Sequence, residues 1–229
     1  MAKRYIYYIG NDNKYHQELT DFKWFPGLSK SQYKRSSFSL INAFNEKHSN
    51  DNLNVLEIST ASDNHLGIKC SAFNLRVIAK NSKIYTVEQI FQAAKYFDGD
   101  NDKSQKKRAS RILDKKSSYN AKKLARELGQ KQKLVKFRIG SKDYPLCPQT
   151  AFYNWVYINV LHQHKELAEG ICKYQGFSDI YFNPKRSINT QAEACARYVF
   201  LVKTGLLDHA LDSFDNFVDD VYESGLKKS

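Results

Sequence analysis

Glu88, Gln92 and Lys95 recur at intervals of four and three residues, the spacing of one face of an α-helix. The helix that would carry them opens on Thr86-Val87-Glu88-Gln89, a capping box, with Tyr85 and Ile90 placed to form a hydrophobic staple. It is expected to run to Phe97, with Gly99 and Asp100 as stop signals. Val87, Phe91 and Ala94 form an apolar stripe at the same spacing. A carboxylate and an ammonium two turns apart have Cα atoms roughly 10 Å apart. They cannot pair tightly, yet both can reach one substrate between them, with Ala93 and Ala94 leaving space beside it. Glu88 would transfer protons, and Lys95 would supply charge or a nucleophile. An amine nucleophile must be neutral, so Lys95 would need a pKa depressed by burial or by a neighbouring cation. Spacing alone favours a plainer alternative: a surface Glu–Gln–Lys ladder contributing about 0.2–0.5 kcal/mol per pair.

The elements around this helix form a helix-dominated α+β pattern. Arg4–Ile9 and Asn54–Ser59 are rich in Tyr, Val and Ile and read as strands; Ala72–Ala79 alternates partly and reads as a third. Gln132–Ile139 alternates as a strand or hairpin arm. Ser31–His48 reads as a helix, and Phe152–Tyr174 as one long amphipathic helix or two. Thr190-Gln191-Ala192-Glu193 is a second capping box, starting a helix that Gly205 would end. A last helix is expected over about Asp208–Tyr222.

Formal charge is +12, and the stretch Lys103–Arg138 holds 14 basic residues against two acids, Asp114 and Glu127, so this one segment accounts for the whole excess. Such clustering fits a phosphate footprint; the alternative is a solvated helical face that keeps the protein soluble. Hydrophobic residues make up 41% of the chain, enough for a packed core rather than a disordered chain. The apolar run after Lys3-Arg4 is too short for a signal-peptide core, and no window reaches a membrane span, so a cytoplasmic protein with no membrane partner is expected. Cys70, Cys147, Cys172 and Cys195 lack metal-ligand spacing and read as buried free thiols; no metal site is expected.

Beyond spacing, Tyr85–Lys95 resembles the signature helix of the NADAR (YbiA-like) superfamily, with its Val-Glu pair, Gln, Ala and Lys in register. Ser71-Ala72-Phe73-Asn74 resembles the family's Ser-Asn-Phe segment. Asn120–Lys123 with Arg126 resembles its Ala-Lys-x-x-Gly-Arg stretch, and Trp155 its Trp-leading helix. Asp179, Asn183, Asn189 and Gln191 stand where the family has an Asp-x-x-Trp-Gly segment and an Asn before its final long helix. The segments Phe22–Gly27, Leu56–Ser59, Phe152–Ile158 and Phe177–Asn189 are similar to one branch, the NADAR antitoxins associated with DarT-type guanine ADP-ribosyltransferase toxins. The chain departs from the general pattern at Ala72 and at Phe182-Asn183, where the family carries Asn and Trp-Gly.

This resemblance implies a single NADAR-like domain with a small β-sheet: a branch-specific N-terminal part over 1–65, a core over 66–207 and a C-terminal helix over 208–229. It implies a glycohydrolase that removes ADP-ribose from guanine in single-stranded DNA, or RNA, and so acts as antitoxin to a cognate toxin. No cofactor is implied; ADP-ribose would be the product. Glu88 and Lys95 would be catalytic. Either Glu88 activates water at an oxocarbenium-like ribose, or Lys95 attacks the anomeric carbon and forms a Schiff base, the route favoured here. Substrate contacts would come from Ser71, Phe73, Asn74, Gln92, Trp155, Asp179, Phe182, Asn183, Asn189 and Gln191. Phe73, Trp155, Phe182 or Trp24 could stack on a base, although Trp155 on a helix is more simply a core residue. Asn189 and Gln191 flank a helix start suited to a diphosphate, or only to capping. Lys122, Lys123 and Arg126 would hold strand phosphates. Two alternatives stand beside this reading: an N-glycosidase of riboflavin-pathway intermediates, as in some members of the superfamily, and a non-catalytic basic nucleic-acid-binding module.

Overall fold

A computed structural model describes residues 2–79 and 82–223. The chain forms two compact units, one from Met1–Ser71 with Leu161–Ser229, the other from Ala72–Val160. The first unit opens with β1 (Ala2–Ile9), β2 (Tyr15–Phe22), α1 (Lys30–Lys47), β3 (Val55–Glu57) and α2 (His65–Lys69). The second unit contributes β4 (Arg76–Ile78), β5 (Ile84–Thr86), α3 (Val87–Ala93), β6 (Lys95–Phe97), α4 (Asp102–Leu113), α5 (Ser118–Leu128), β7 (Leu134–Ile139), β8 (Lys142–Tyr144) and α6 (Ala151–His162). The chain then returns to the first unit with α7 (Lys165–Ile171), β9 (Gly176–Ser178), α8 (Gln191–Thr204), α9 (Leu207–Asp212) and α10 (Phe214–Val218), followed by a π-helical turn, Asp219–Glu223. The fold is α+β with helices dominant.

In the first unit the sheet order is β2-β1-β9-β3, with β1 antiparallel to both neighbours and β9 parallel to β3. Period-two alternation along β1 gives the sheet two apolar faces. Ile6 packs with Leu40 and Phe44 of α1, while α8 packs on β1 from its own side and brings Glu193 toward Tyr7. Ser29 and Gln32 form the capping box that starts α1. The Glu57 carboxylate is buried in this unit and accepts from Ser37 Oγ at 3.1 Å, Ile180 N at 2.9 Å and Ser178 Oγ, so its lone pairs are used by the fold.

Several local expectations change. Strand β4 covers only Arg76–Ile78 of the expected Ala72–Ala79, because Ala72–Asn74 form a turn. The carbonyls of Ala72 and Leu75 accept from the first amides of α3, Glu88 N and Val87 N, each at 3.0 Å. Helix α3 stops at Ala93 instead of reaching Phe97. Strand pairing replaces the last turn: Lys95 faces Phe137 of β7, and Arg138 N donates to Ala94 O at 2.6 Å. Phe152–Tyr174 divides into α6 and α7. Thr190 caps α8 through Ala192 N, but Glu193 does not close a capping box; it pairs with Arg197 at 2.7 Å. Gly205 ends α8 in the left-handed region, as glycine allows. The expected last helix is interrupted at Ser213, whose extended backbone and side-chain bond to Asn216 N recap the chain. Residues 224–229 of the expected 208–229 helix lie outside the described residues. Cys70 and Cys195 are buried, whereas Cys172 is half-buried and Cys147 exposed, contrary to the expectation for all four. Among the described residues, no helix is long and apolar enough to cross a membrane.

Candidate active site

The second unit builds a site from three elements. Helix α3 supplies Glu88 and Gln92, β6 supplies Lys95, and α5 supplies Tyr119, Lys122, Lys123 and Arg126. Thr86 and Gln89 form the expected capping box, and Gln89 Nε2 also donates to Lys115 O at 2.9 Å, tying the start of α3 to the loop before α5. Ala93 does not leave space beside the site. It packs with Ile112, Ala121 and Ala125, and the small side chains let α3, α4 and α5 approach closely.

Glu88 and Gln92 are 4% and 6% exposed, so the surface-ladder alternative does not describe them. Gln92 Nε2 donates to Glu88 Oε1 at 2.9 Å. Lys122 Nζ lies 3.3 Å from the same oxygen and 5.3 Å from the centre of the Phe73 ring. The carboxylate is thus buried with one amide and one ammonium partner. Lys95 is half-buried, its amine 5.4 Å from the centre of the Phe91 ring. Burial, the largest influence, lowers the Lys95 amine below the ordinary lysine range; the Glu88 carboxylate opposes this and the Lys122 ammonium adds to it. Both causes anticipated for a neutral amine, burial and a neighbouring cation, are present.

Gln92, Lys95, Tyr119, Lys122, Lys123 and Arg126 line an open cleft of about 1080 Å³. Four basic side chains converge there against one acid in the lining, Glu127. Tyr119 is 70% exposed, leaving a ring face available to a planar ligand. A polyphosphorylated ligand with a flat base fits this lining better than a small neutral one.

The remaining expected residues are distributed between the units. Phe73, Asn74 and Trp155 belong to the second unit. Phe73 lies under Lys122. Trp155 is half-buried and hydrogen-bonded to the Tyr144 hydroxyl. Ser71, Asp179, Phe182, Asn183, Asn189 and Gln191 belong to the first unit. There Asp179 accepts from Thr190 Oγ1 and Tyr181 N, each at 3.1 Å. Gln191 Nε2 donates to Ile58 O at 2.6 Å, and Ser71 Oγ donates to Gln191 Oε1 at 3.5 Å. Asn183 Oδ1 accepts from Lys185 N at 3.0 Å and shapes the following turn. Phe182 is buried. Asn189 Oδ1 is buried without a hydrogen-bond partner. Trp24 packs edge-on against Phe22 and Tyr33 with the Arg4 guanidinium over its ring, so its own unit occupies it.

Three site features escaped sequence reasoning: the Glu88–Lys122 ion pair, the place of Tyr119 at the cleft, and the break between α3 and β6. The first two depend on α3 and α5 packing together. The third had a signal in β-prone Tyr96-Phe97, which the helical spacing outweighed.

The lowered Lys95 amine thus lines a cationic cleft, and the buried Glu88 carboxylate is held by two other residues of that lining, in an α+β fold. Residues 2–229 match the family model for the DarT1-associated NADAR antitoxin, and the chain belongs to that family. No curated protein matches the chain.

Proposed function

We propose that this antitoxin is an N-glycosidase that removes ADP-ribose from guanine bases of nucleic acid, reversing the modification made by its associated toxin. The observation that carries the reading is the buried Glu88 carboxylate, held by Gln92 and Lys122, which line a cleft together with the lowered Lys95 amine. Lys123 and Arg126 supply charge for the diphosphate or the strand, and Tyr119 a stacking face. Phe73 and Asn74 are proposed as further substrate contacts from the same unit. Trp155 is proposed to support the site by packing alone.

The chemistry follows from the two side chains. The neutral Lys95 amine attacks the ribose anomeric carbon, and the bond from that carbon to the exocyclic guanine nitrogen breaks. The departing nitrogen takes a proton, which Glu88 can relay from the attacking amine. The ribosylamine opens to a Schiff base, water adds to it, and the C–N bond to Lys95 breaks. ADP-ribose leaves and the free amine is restored. All protons stay within the amine, the carboxyl group and water.

The test is Glu88→Gln assayed on an oligonucleotide carrying ADP-ribosylated guanine. The amide keeps the shape and loses proton transfer, so turnover should fall by about 10²–10⁴-fold with binding retained. Unchanged turnover would remove Glu88 from the chemistry, and no turnover by well-folded wild type would return the chain to a binding module.

A further inference from the structure

Lys95 is the first residue of β6, beyond the end of the helix that carries Glu88. The direction of its side chain therefore depends on how the backbone leaves α3, and a second ion pair governs that exit. Arg108 of α4 donates from Nη2 to the Lys95 carbonyl oxygen at 2.7 Å and from Nη1 to Asp100 Oδ1 at 2.7 Å. Asp100 Oδ2 accepts from Phe97 N at 2.8 Å, and Tyr96 Oη donates to Asp100 O at 2.8 Å. All three residues of β6 are thus tied to one pair whose side chains are only 10% and 8% exposed.

A buried pair of this kind carries a desolvation cost that apolar packing would avoid. Strand β6 is also already paired along β7. Arg108 nonetheless reaches past Asp100 to the carbonyl of Lys95, which lines the cleft together with Phe97 of the same strand and with Glu88's partners, Gln92 and Lys122.

We propose that the Asp100–Arg108 pair is the positioning unit of Lys95, fixing the backbone at the α3–β6 junction so that the amine enters the cleft near Glu88 and Lys122. Its consequence for turnover rests on the glycosidase reading above; the positioning itself does not. The guanidinium acts through the Lys95 carbonyl. The charges acting on the amine are Glu88 from α3 and Lys122 from α5. On β7, Lys136 and Arg138 turn to the Tyr96 ring, at 4.5 and 4.8 Å from its centre.

The experiment labels the full chain with an amine-reactive reagent across pH and follows the Lys95 peptide by mass spectrometry. Wild type is compared with Arg108→Gln and with Asp100→Asn, each checked for a cooperative melt. In wild type, Lys95 should label with a midpoint below that of an exposed lysine. In the variants, the midpoint should rise toward the ordinary value of about 10.4. On ADP-ribosylated oligonucleotide, kcat should fall by about 100-fold with a smaller change in KM, as expected of a misplaced reacting group. A folded variant with the wild-type Lys95 midpoint overturns the proposal. Asp100→Asn is nearly isosteric and decides the matter if Arg108→Gln does not fold. A moved midpoint in a protein whose wild type shows no glycosidase activity supports positioning and overturns the proposed function alone.

Discussion

At Lys95 the fold holds an amine in surroundings that favour its neutral form, chiefly through burial. The sign of the linked stability follows. The folded pKa lies below that of the unfolded chain, so between the two values the unfolded state binds the extra proton. Stability should therefore rise with pH from the lowered Lys95 value up to about 10.4. Below that window the folded state carries the charged amine at full cost. Lys95→Met should melt higher than wild type at neutral pH, by about 2–4 °C for each kcal/mol relieved, and should flatten the slope in that window. A lower melting temperature at every pH would show that Lys95 stabilises the fold. Asp100 runs the other way. Burial works to raise its pKa, and the bonds from Arg108 and Phe97 N overcome it, so its contribution is present above about pH 3.9 and lost as pH falls through its lowered folded value.

At the scale of elements, what was legible in the sequence had local causes. Thr86 and Gln89 mark the start of α3, Thr190 that of α8, and Gly205 its end, because caps involve neighbours in sequence. The end of α3 was not legible. Lys95 leaves the helical register because β7 offers it a strand partner. Strand β2 was missed because its alternation is weak: polar residues occupy most of Tyr15–Phe22, and only Thr20 and Phe22 are buried. The site divides the same way. Glu88 and Lys95 could be paired by spacing, whereas Lys122 reaches Glu88 only through the packing of α5 on α3. The C-terminal elements yield a further test. Arg197 pairs with Glu193, lies between the Tyr15 and Tyr222 rings at 4.3 Å from each centre, and donates to Val221 O at 3.0 Å. Arg197→Ala removes the ion-pair partner of the buried Glu193, so it should cost about 3–5 kcal/mol and speed hydrogen exchange through the π-helical turn. Wild-type exchange there would deny Arg197 that role.

At the scale of the molecule, the clustered charge has a measurable consequence. The acids Asp102 and Asp114 near the ends of α4 are paired with Arg138 and Lys83, while Lys122, Lys123 and Arg126 gather at one cleft. If those three meet phosphates of a single strand, log K should fall with log salt at a slope near −2. Lys123→Glu with Arg126→Glu should flatten that slope and weaken strand binding, while melting stays near wild type. An unchanged slope would assign the basic segment to solubility alone. Family membership makes the chain an antitoxin associated with DarT1.

The central claim is that Glu88 and Lys95 serve one glycosidic bond. The most direct measurement incubates wild type and Lys95→Ala with single-stranded DNA carrying ADP-ribosylated guanine and quantifies free ADP-ribose, with borohydride in a parallel sample. Release by wild type alone, with a reduced ADP-ribosyl adduct on Lys95, is the predicted result. No release by well-folded wild type, or equal release by Lys95→Ala, would contradict it.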